Sequence, residues 1–164
     1  ENNTLLEVLN KVEVKKGDCF FIESGTVHAI GAGLLIAEIQ QNSNTTYRVY
    51  DYGRVGANGK PRELHTEKAL EVTVTAPPEY PILHATENAD TTLADCKYFK
   101  VKKHNINGNI EINVDSLSFS SLLCVEGQCT VGDVDVKAGE CVFIPADFGS
   151  VIISGDAVLL ESRV

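Results

Sequence analysis

A histidine set among glycines is the residue of this sequence best suited to chemistry. His28 follows a turn at Gly17 and Asp18, a short apolar segment and a second glycine, Gly25. This spacing presents an imidazole on an extended segment, as half of a metal site would. One imidazole does not hold Zn²⁺, because protein zinc sites use several converging ligands. The sequence therefore predicts that further ligands lie elsewhere.

A carboxylate falls on the same predicted face as this histidine. If residues 31–33 close a hairpin, Thr26 pairs with Glu38. His28 then pairs with Ile36, and the alternation of strand residues puts His28 and Glu38 on one face. A glutamate among apolar neighbours is costly to bury without a partner, so an interior face would give Glu38 a role. A solvent-facing glutamate on an edge strand is the alternative.

The segment 47–62 is basic in an acidic chain. Its four cations are Arg48, Arg54, Lys60 and Arg62. Asp51 is its single acid, whereas the whole chain has a formal net charge of -9. The reversal suits a phosphate-bearing substrate, with Lys60 and Arg62 as the preferred contacts and the glycine-rich residues 53–60 as a mobile loop above it. A solvated basic turn is the alternative.

Short strands separated by glycine turns must position these residues. A short helix comes first, because Thr4 and Glu7 form a capping box ahead of an apolar helical face. The apolar runs that follow are typical of a double-sheet or barrel-like all-β body. The predicted strands are 15–22, 32–39, 46–52, 97–103, 110–114, 119–127, 132–136, 141–145, 150–154 and 157–162.

Two stretches of the chain are copies of one β unit. Residues 16–30 laid over residues 138–152 give six matches or near matches over fifteen positions. His28 falls on Ser150, so the second copy lacks the ligand-type residue. A proline-bearing segment, residues 75–96, lies between the copies and is a linker candidate.

Several of these stretches resemble known families. Both copies resemble the second conserved motif of cupins. Residues 38–54, EIQQNSNTTYRVYDYGR, followed by residues 62–70, RELHTEKAL, resemble the signature region of the short bacterial type I mannose-6-phosphate isomerases. The resemblance is nearly unbroken over residues 14–70 and looser over residues 80–164. The chain is thus similar to the C-terminal portion of such an enzyme.

The resemblance implies a fold and a division of the chain. The expected fold is an all-β, cupin-like β-sandwich or jelly-roll with two repeats and a short N-terminal helix, the first cupin unit being incomplete. Residues 1–76 would form the C-terminal part of a catalytic cupin domain. Residues 77–164 would form a second, metal-free cupin-like domain.

The resemblance also implies a zinc-dependent activity on a sugar phosphate. In this family Zn²⁺ is bound by a Gln-x-His or His-x-His pair, a glutamate and the histidine that His28 matches, and the other ligands would precede residue 1. Arg48 matches the catalytic arginine, and Glu38 matches a glutamate that lines the active site. The reaction moves the C2 proton of mannose 6-phosphate to C1, which gives fructose 6-phosphate, while the guanidinium stabilises the developing oxyanion.

Some assignments at this site stay open. The proton carrier could be Glu38, Arg48 or a water bound to the zinc. Arg48 has a structural alternative, a salt bridge to Asp51 or Glu38. The chain alone is expected to be inactive. Two other functions compete: a non-enzymatic cupin-type sugar-binding module, and an oxygenase-type cupin with a two-histidine, one-carboxylate metal site.

Composition limits the partners and the compartment. The net charge of -9 argues against a nucleic-acid surface. No apolar run reaches the length of a membrane span and no signal peptide opens the chain, so we expect a soluble, cytoplasmic protein of undetermined oligomeric state. The five cysteines form no CxxC pair and should be reduced core residues. His65 is expected to be structural at a helix start, and His84 and His104 to be surface or loop residues.

Overall fold

A computed structural model describes residues 4–77, 82–84 and 90–164. Strands dominate the part from residue 90 onward. In chain order the elements are α1 (Leu5–Val8), β1 (Asp18–Cys19), α2 (Thr66–Val72), β2 (Leu83–His84), β3 (Thr91–Asp95), β4 (Lys100–Val114), β5 (Ser120–Val131), β6 (Val134–Lys137), β7 (Cys141–Ile144) and β8 (Gly149–Arg163). In the described residues, no helix is long and apolar enough to cross a membrane.

Six of these strands form one antiparallel sheet. Its order is β3-β4-β8-β5-β6, and β7 pairs with β5 as well. Strand β8 is central, because it pairs along its length with β4 and along most of its length with β5. Strands β1 and β2 form a separate two-stranded sheet.

Glycines mark the place where the long strands bend. Gly108 of β4 lies opposite Gly155 of β8, and Gly155 lies opposite Cys129 of β5. Gly155 has a φ of 147°, and a Cβ there would lie 2.6 Å from the carbonyl oxygen of Gln128. Only a residue without a Cβ allows the two strands to approach this closely. The close approach of the strands at this point therefore requires glycine at position 155.

The main core lies on both sides of that bend. Residues from both halves of β4, β5 and β8 meet in it, so the sheet folds over onto itself as a β-sandwich. The core residues are Ile106, Ile112, Val114, Leu122, Cys124, Cys129, Val131, Val136, Ile144, Val151, Ile153, Ala157 and Leu159. The prediction of an all-β, cupin-like sandwich is confirmed. All five cysteines are free, and Cys141, predicted to be in the core, is exposed.

The described residues before position 77 form little regular structure. Helix α1 is as short as predicted, and Thr4 is its N-cap without a side-chain hydrogen bond. The strands predicted over 32–39 and 46–52 are absent, and of 15–22 only Asp18–Cys19 is a strand. The hairpin that would pair His28 with Ile36 is therefore wrong.

Exposure explains why that hairpin does not form. Leu34 and Ile36 are half exposed and Leu35 is 101 % exposed, so their side chains bury little apolar surface. A lone two-stranded hairpin is at best marginally stable in water without a further strand or a packing partner. Of this segment, Ile39 packs against the cluster of Leu93, Val101 and Leu160, whereas Leu34, Leu35 and Ile36 stay exposed and gain no such support.

The chain divides into two compact units. The first comprises Glu1–Lys16, Ile22–Leu35 and Asn42–Pro81, and the second comprises Gly17–Phe21, Ile36–Gln41 and Ile82–Val164. The predicted boundary between residues 76 and 77 stays a prediction.

The two copies of the repeat share a backbone feature. Gly17 and its counterpart Gly139 have φ angles of 91° and 90°, and each closes a turn ahead of a strand. Gly25 and its counterpart Asp147 also have positive φ angles, 92° and 64°. The common turns support the repeat seen in the sequence.

Candidate functional site

The imidazole of His28 is held by a local hydrogen bond. Its Nδ1 lies 2.8 Å from the carbonyl oxygen of Thr26. Because a carbonyl oxygen only accepts, Nδ1 is the donor, and in a neutral imidazole with this tautomer Nε2 has the lone pair. The side chain is exposed. A histidine that donates from one nitrogen to a backbone carbonyl is oriented as metal-ligating histidines are.

The described residues do not complete a metal site around His28. Nowhere within residues 4–77, 82–84 and 90–164 do three or more His, Cys, Asp or Glu side chains converge as a metal requires. His28 therefore fits Zn²⁺ as one ligand of a set whose other members are not in the described part of the chain. The prediction that those ligands precede residue 1 stays a prediction.

The backbone of Arg48 is clamped to the residues that precede α2. The Arg48 N–H donates to Nδ1 of His65 at 3.1 Å, and the His65 N–H donates to the Arg48 carbonyl oxygen at 2.7 Å. The Arg48 Nη1 donates to the carbonyl oxygen of Glu63 at 3.3 Å. His65 is the N-cap of α2, which confirms the predicted structural role at a helix start. Arg48 is thus fixed at both its main chain and its guanidinium.

A buried carboxylate lies against two of the four cations of this segment. Asp51 is 9 % exposed and accepts two hydrogen bonds from Arg62, one of them from Nε at 2.7 Å and the other from Nη2. The Arg48 Nε lies 3.7 Å from the same carboxylate. The Arg62 hydrogen bonds hold the pKa of Asp51 below its usual range, against the opposing effect of burial, and the charges of Arg62, Arg48 and Arg54 act in the same direction.

Residues 55–61 form a hydrogen-bonded turn. The Gly56 N–H donates to the Lys60 carbonyl oxygen at 2.8 Å, and the Lys60 N–H donates to Oδ1 of Asn58 at 3.0 Å. Val55 and Pro61 form an antiparallel bridge at the base of the turn. The ammonium of Lys60 is exposed and forms no ion pair with another described residue.

The structure therefore brings together only part of the predicted site. Arg48 and Arg62 meet on Asp51, whose pairing with Arg62 the sequence did not predict. Glu38 is exposed and belongs to the second unit, whereas His28 belongs to the first.

Comparison with known proteins shows which enzymes this chain resembles. Residues 89–164 match the family described as "Mannose-6-phosphate isomerase, cupin domain". The mannose-6-phosphate isomerase ManA of Bacillus subtilis is 41% identical over 165 residues, which cover 96% of this chain and 52% of that protein. The chain is similar over nearly its whole length to the C-terminal portion of a mannose-6-phosphate isomerase.

Two further comparisons with mannose-6-phosphate isomerases give a similar extent of likeness. The mannose-6-phosphate isomerase of Streptococcus mutans is 35% identical over 162 residues, covering 95% of this chain and 51% of its own length. A crystal structure of the enzyme from Bacillus subtilis superposes with a TM-score of 0.65 and 34% identity, covering 76% of this chain and 42% of that one. The chain thus spans about half the length of the curated mannose-6-phosphate isomerases that it matches.

A second polar cluster, outside the predicted site, was not foreseen. His104 was predicted to be a surface or loop residue, but it lies in β4 and is only 3 % exposed. Its Nε2 lies 2.8 Å from Oε2 of Glu161, and its Nδ1 lies 3.2 Å from Oδ2 of Asp90. Strand alternation from buried Ile106 would have placed His104 on the interior face. The prediction was wrong because a position outside the motif region can still lie on the buried face of a strand, as His104 does in β4.

Proposed function

We propose that this chain is part of a zinc-dependent aldose–ketose isomerase that interconverts mannose 6-phosphate and fructose 6-phosphate. The observation that carries the proposal is the identity of 41% with a mannose-6-phosphate isomerase over 96% of the chain. A match of that extent takes in the segments that bear His28, Arg48 and Arg62. The five free cysteines, one of them exposed, favour a reducing compartment, and we place the protein in the cytoplasm.

In this proposal His28 is one of the zinc ligands. Its hydrogen bond to Thr26 leaves Nε2 as the coordinating atom. Bound zinc would hold the substrate and polarise one of its oxygens. The remaining ligands would come from outside this chain, so we propose that the chain alone binds zinc weakly and is inactive.

Arg48 is the proposed catalytic cation. Contacts to Glu63 and Asp51 hold the guanidinium, and the hydrogen bonds with His65 hold the Arg48 main chain, so little reorganisation is needed as charge develops. It would stabilise the negative oxygen that forms when the proton leaves C2. Glu38 and Arg48 are the candidates within this chain for carrying that proton to C1.

Phosphate recognition would rest on Lys60 and Arg62 in different ways. Lys60 is exposed and forms no ion pair with a described residue, so its charge is available. Arg62 is engaged by Asp51, which fixes its direction but neutralises much of its charge. We therefore propose Lys60 as the stronger contact. The predicted second domain, residues 77–164, would take no catalytic metal.

The test uses the longer protein that this proposal requires. Arg48→Gln should lower turnover of mannose 6-phosphate by about a hundredfold to a thousandfold, because a fixed donor to the oxyanion is removed, and should keep zinc bound. His28→Ala should release zinc. Arg54→Gln is the matched control, since Arg54 contacts the ring of Tyr52 and should leave both properties unchanged. Full turnover in the Arg48 variant would overturn the catalytic assignment.

A further inference from the structure

A cavity of about 310 Å³ lies within the second unit. Strands β4 and β8 provide nearly all of its wall, and most of the lining side chains are polar. Its volume is within the range of small-ligand sites, about 300–1,000 Å³. None of the lining residues is among the candidate catalytic or zinc-binding residues.

The inner wall of the cavity carries a preorganised, buried polar group. Glu161 is 8 % exposed and accepts from His104 and from the hydroxyl of Ser120, each at 2.8 Å. Both ring nitrogens of His104 face carboxylate oxygens, Nε2 that of Glu161 and Nδ1 that of Asp90. Buried ion pairs rarely stabilise a fold more than apolar side chains of the same volume would. Stability alone therefore does not account for this cluster.

Other lining side chains are free to meet a ligand. Lys102, Glu111 and Asn113 line the cavity, and none of their side chains has a hydrogen bond or ion pair with another described residue. Together they offer a cationic donor, an anionic acceptor and an amide that both donates and accepts. A ligand with donors and acceptors close together would satisfy all three.

The charges of the lining point to an uncharged ligand. Both signs of charge occur in the lining: the carboxylates are Asp90, Glu111 and Glu161, the cations are Lys102 and Arg163, and His104 adds an imidazole. A phosphate would meet the carboxylates and a metal ion would meet the cations, so neither is favoured. We propose that this cavity is a second binding site, for a small uncharged polyhydroxylated molecule such as a monosaccharide.

The test is an NMR titration of the full chain without zinc. The probes are mannose, mannitol and mannose 6-phosphate, and the readout is the backbone amide shifts. We expect saturable shifts with mannose or mannitol at the cavity strands β4 and β8. Glu111→Gln and Lys102→Met should each weaken binding by about tenfold. The first replaces a charged hydrogen-bond acceptor by a weaker neutral one, and the second removes a charged donor. Asp133→Asn, an exposed change in the turn before β6, is the control and should bind normally.

Three results would overturn the proposal: no saturable shift in the tens-of-millimolar range, equal affinity in the cavity variants and the control, or tighter binding of mannose 6-phosphate than of mannose at these strands. The two variants are at partly or fully exposed positions of β4, and a one-dimensional spectrum checks that each is folded. The titration involves neither zinc nor turnover. Failure of this titration would leave the proposed isomerase function unaffected. Likewise, a failed isomerase test would leave the proposed binding site unaffected.

Discussion

Single carboxylates organise both polar clusters of this chain. Asp51 is shared by Arg62 and, at longer range, Arg48, while Glu161 is shared by His104 and Ser120. In each cluster the cations lower the pKa of the carboxyl group although burial opposes this. The two clusters differ in the burial of the side chain that pairs with the carboxylate: Arg62 reaches solvent and His104 does not.

Replacing His104 should destabilise the second unit strongly. His104→Gln removes the imidazole that pairs with the buried Glu161 carboxylate, and breaking a buried pair costs about 3–5 kcal/mol in comparable cases. The measurement is the free energy of unfolding in urea. Lys100→Met is the control: its pair with Asp95 is exposed at both ends, and its loss should cost less than about 1 kcal/mol. Similar losses in the two variants would contradict the account of the buried pair.

Acid should destabilise the second unit through Glu161. The pKa of this group is held below its usual 4.5, chiefly by the hydrogen bond from His104, with Ser120 and Arg163 acting in the same direction. A carboxyl group whose pKa is lower in the folded state adds stability above its unfolded pKa and loses it as pH falls through the folded value. Stability should therefore decline below about pH 4.5, and Glu161→Gln should flatten that decline relative to wild type. An unchanged pH profile in this variant would contradict the assignment.

At the residue scale, the sequence predicted the motif but not the pairings. The run around Arg48 and the helix start at His65 could be read locally, since both depend on neighbours along the chain. The Asp51–Arg62 pair spans eleven residues and the His104–Glu161 pair spans fifty-seven. Such pairs depend on how the elements meet in space, which spacing alone does not give.

At the scale of elements, strands form where both a pairing partner and a core exist. From residue 97 onward each predicted strand corresponds to part of β4 to β8, because every one of these strands pairs with a neighbour and packs on the main core. The earlier apolar runs have the same β propensity, but many of their large apolar side chains are exposed, among them Leu34, Leu35 and Ile36. Propensity predicted where strands were possible, and packing decided which of them formed.

The glycine bend offers a matched pair of substitutions. Gly155→Ala places a Cβ 2.6 Å from the Gln128 carbonyl oxygen, so β5 and β8 must separate. Gly108→Ala lies opposite it in β4, with a φ of 98° and nothing within 4 Å of the new Cβ. We expect Gly108→Ala to cost about 1 kcal/mol from backbone strain, and Gly155→Ala to cost clearly more. Thermal unfolding measures both, and equal melting temperatures would show that the close approach does not matter.

At the scale of the whole molecule, this chain carries one proposed zinc ligand and a fixed arginine over about half the length of its relatives. The described residues contain no complete metal site. These observations agree if the catalytic site is assembled from this chain together with the part of the relatives that it does not match. We propose that this chain supplies the second portion of a mannose-6-phosphate isomerase site.

The most direct test joins this chain to the portion of the Bacillus subtilis mannose-6-phosphate isomerase that precedes the matched region. Conversion of mannose 6-phosphate to fructose 6-phosphate is measured for the fusion and for the isolated chain, with bound zinc measured in both. The fusion should hold zinc and turn over substrate, and the isolated chain should do neither. A folded, zinc-loaded fusion without turnover, or turnover by the isolated chain, would contradict the proposal that this chain supplies the second portion of the site.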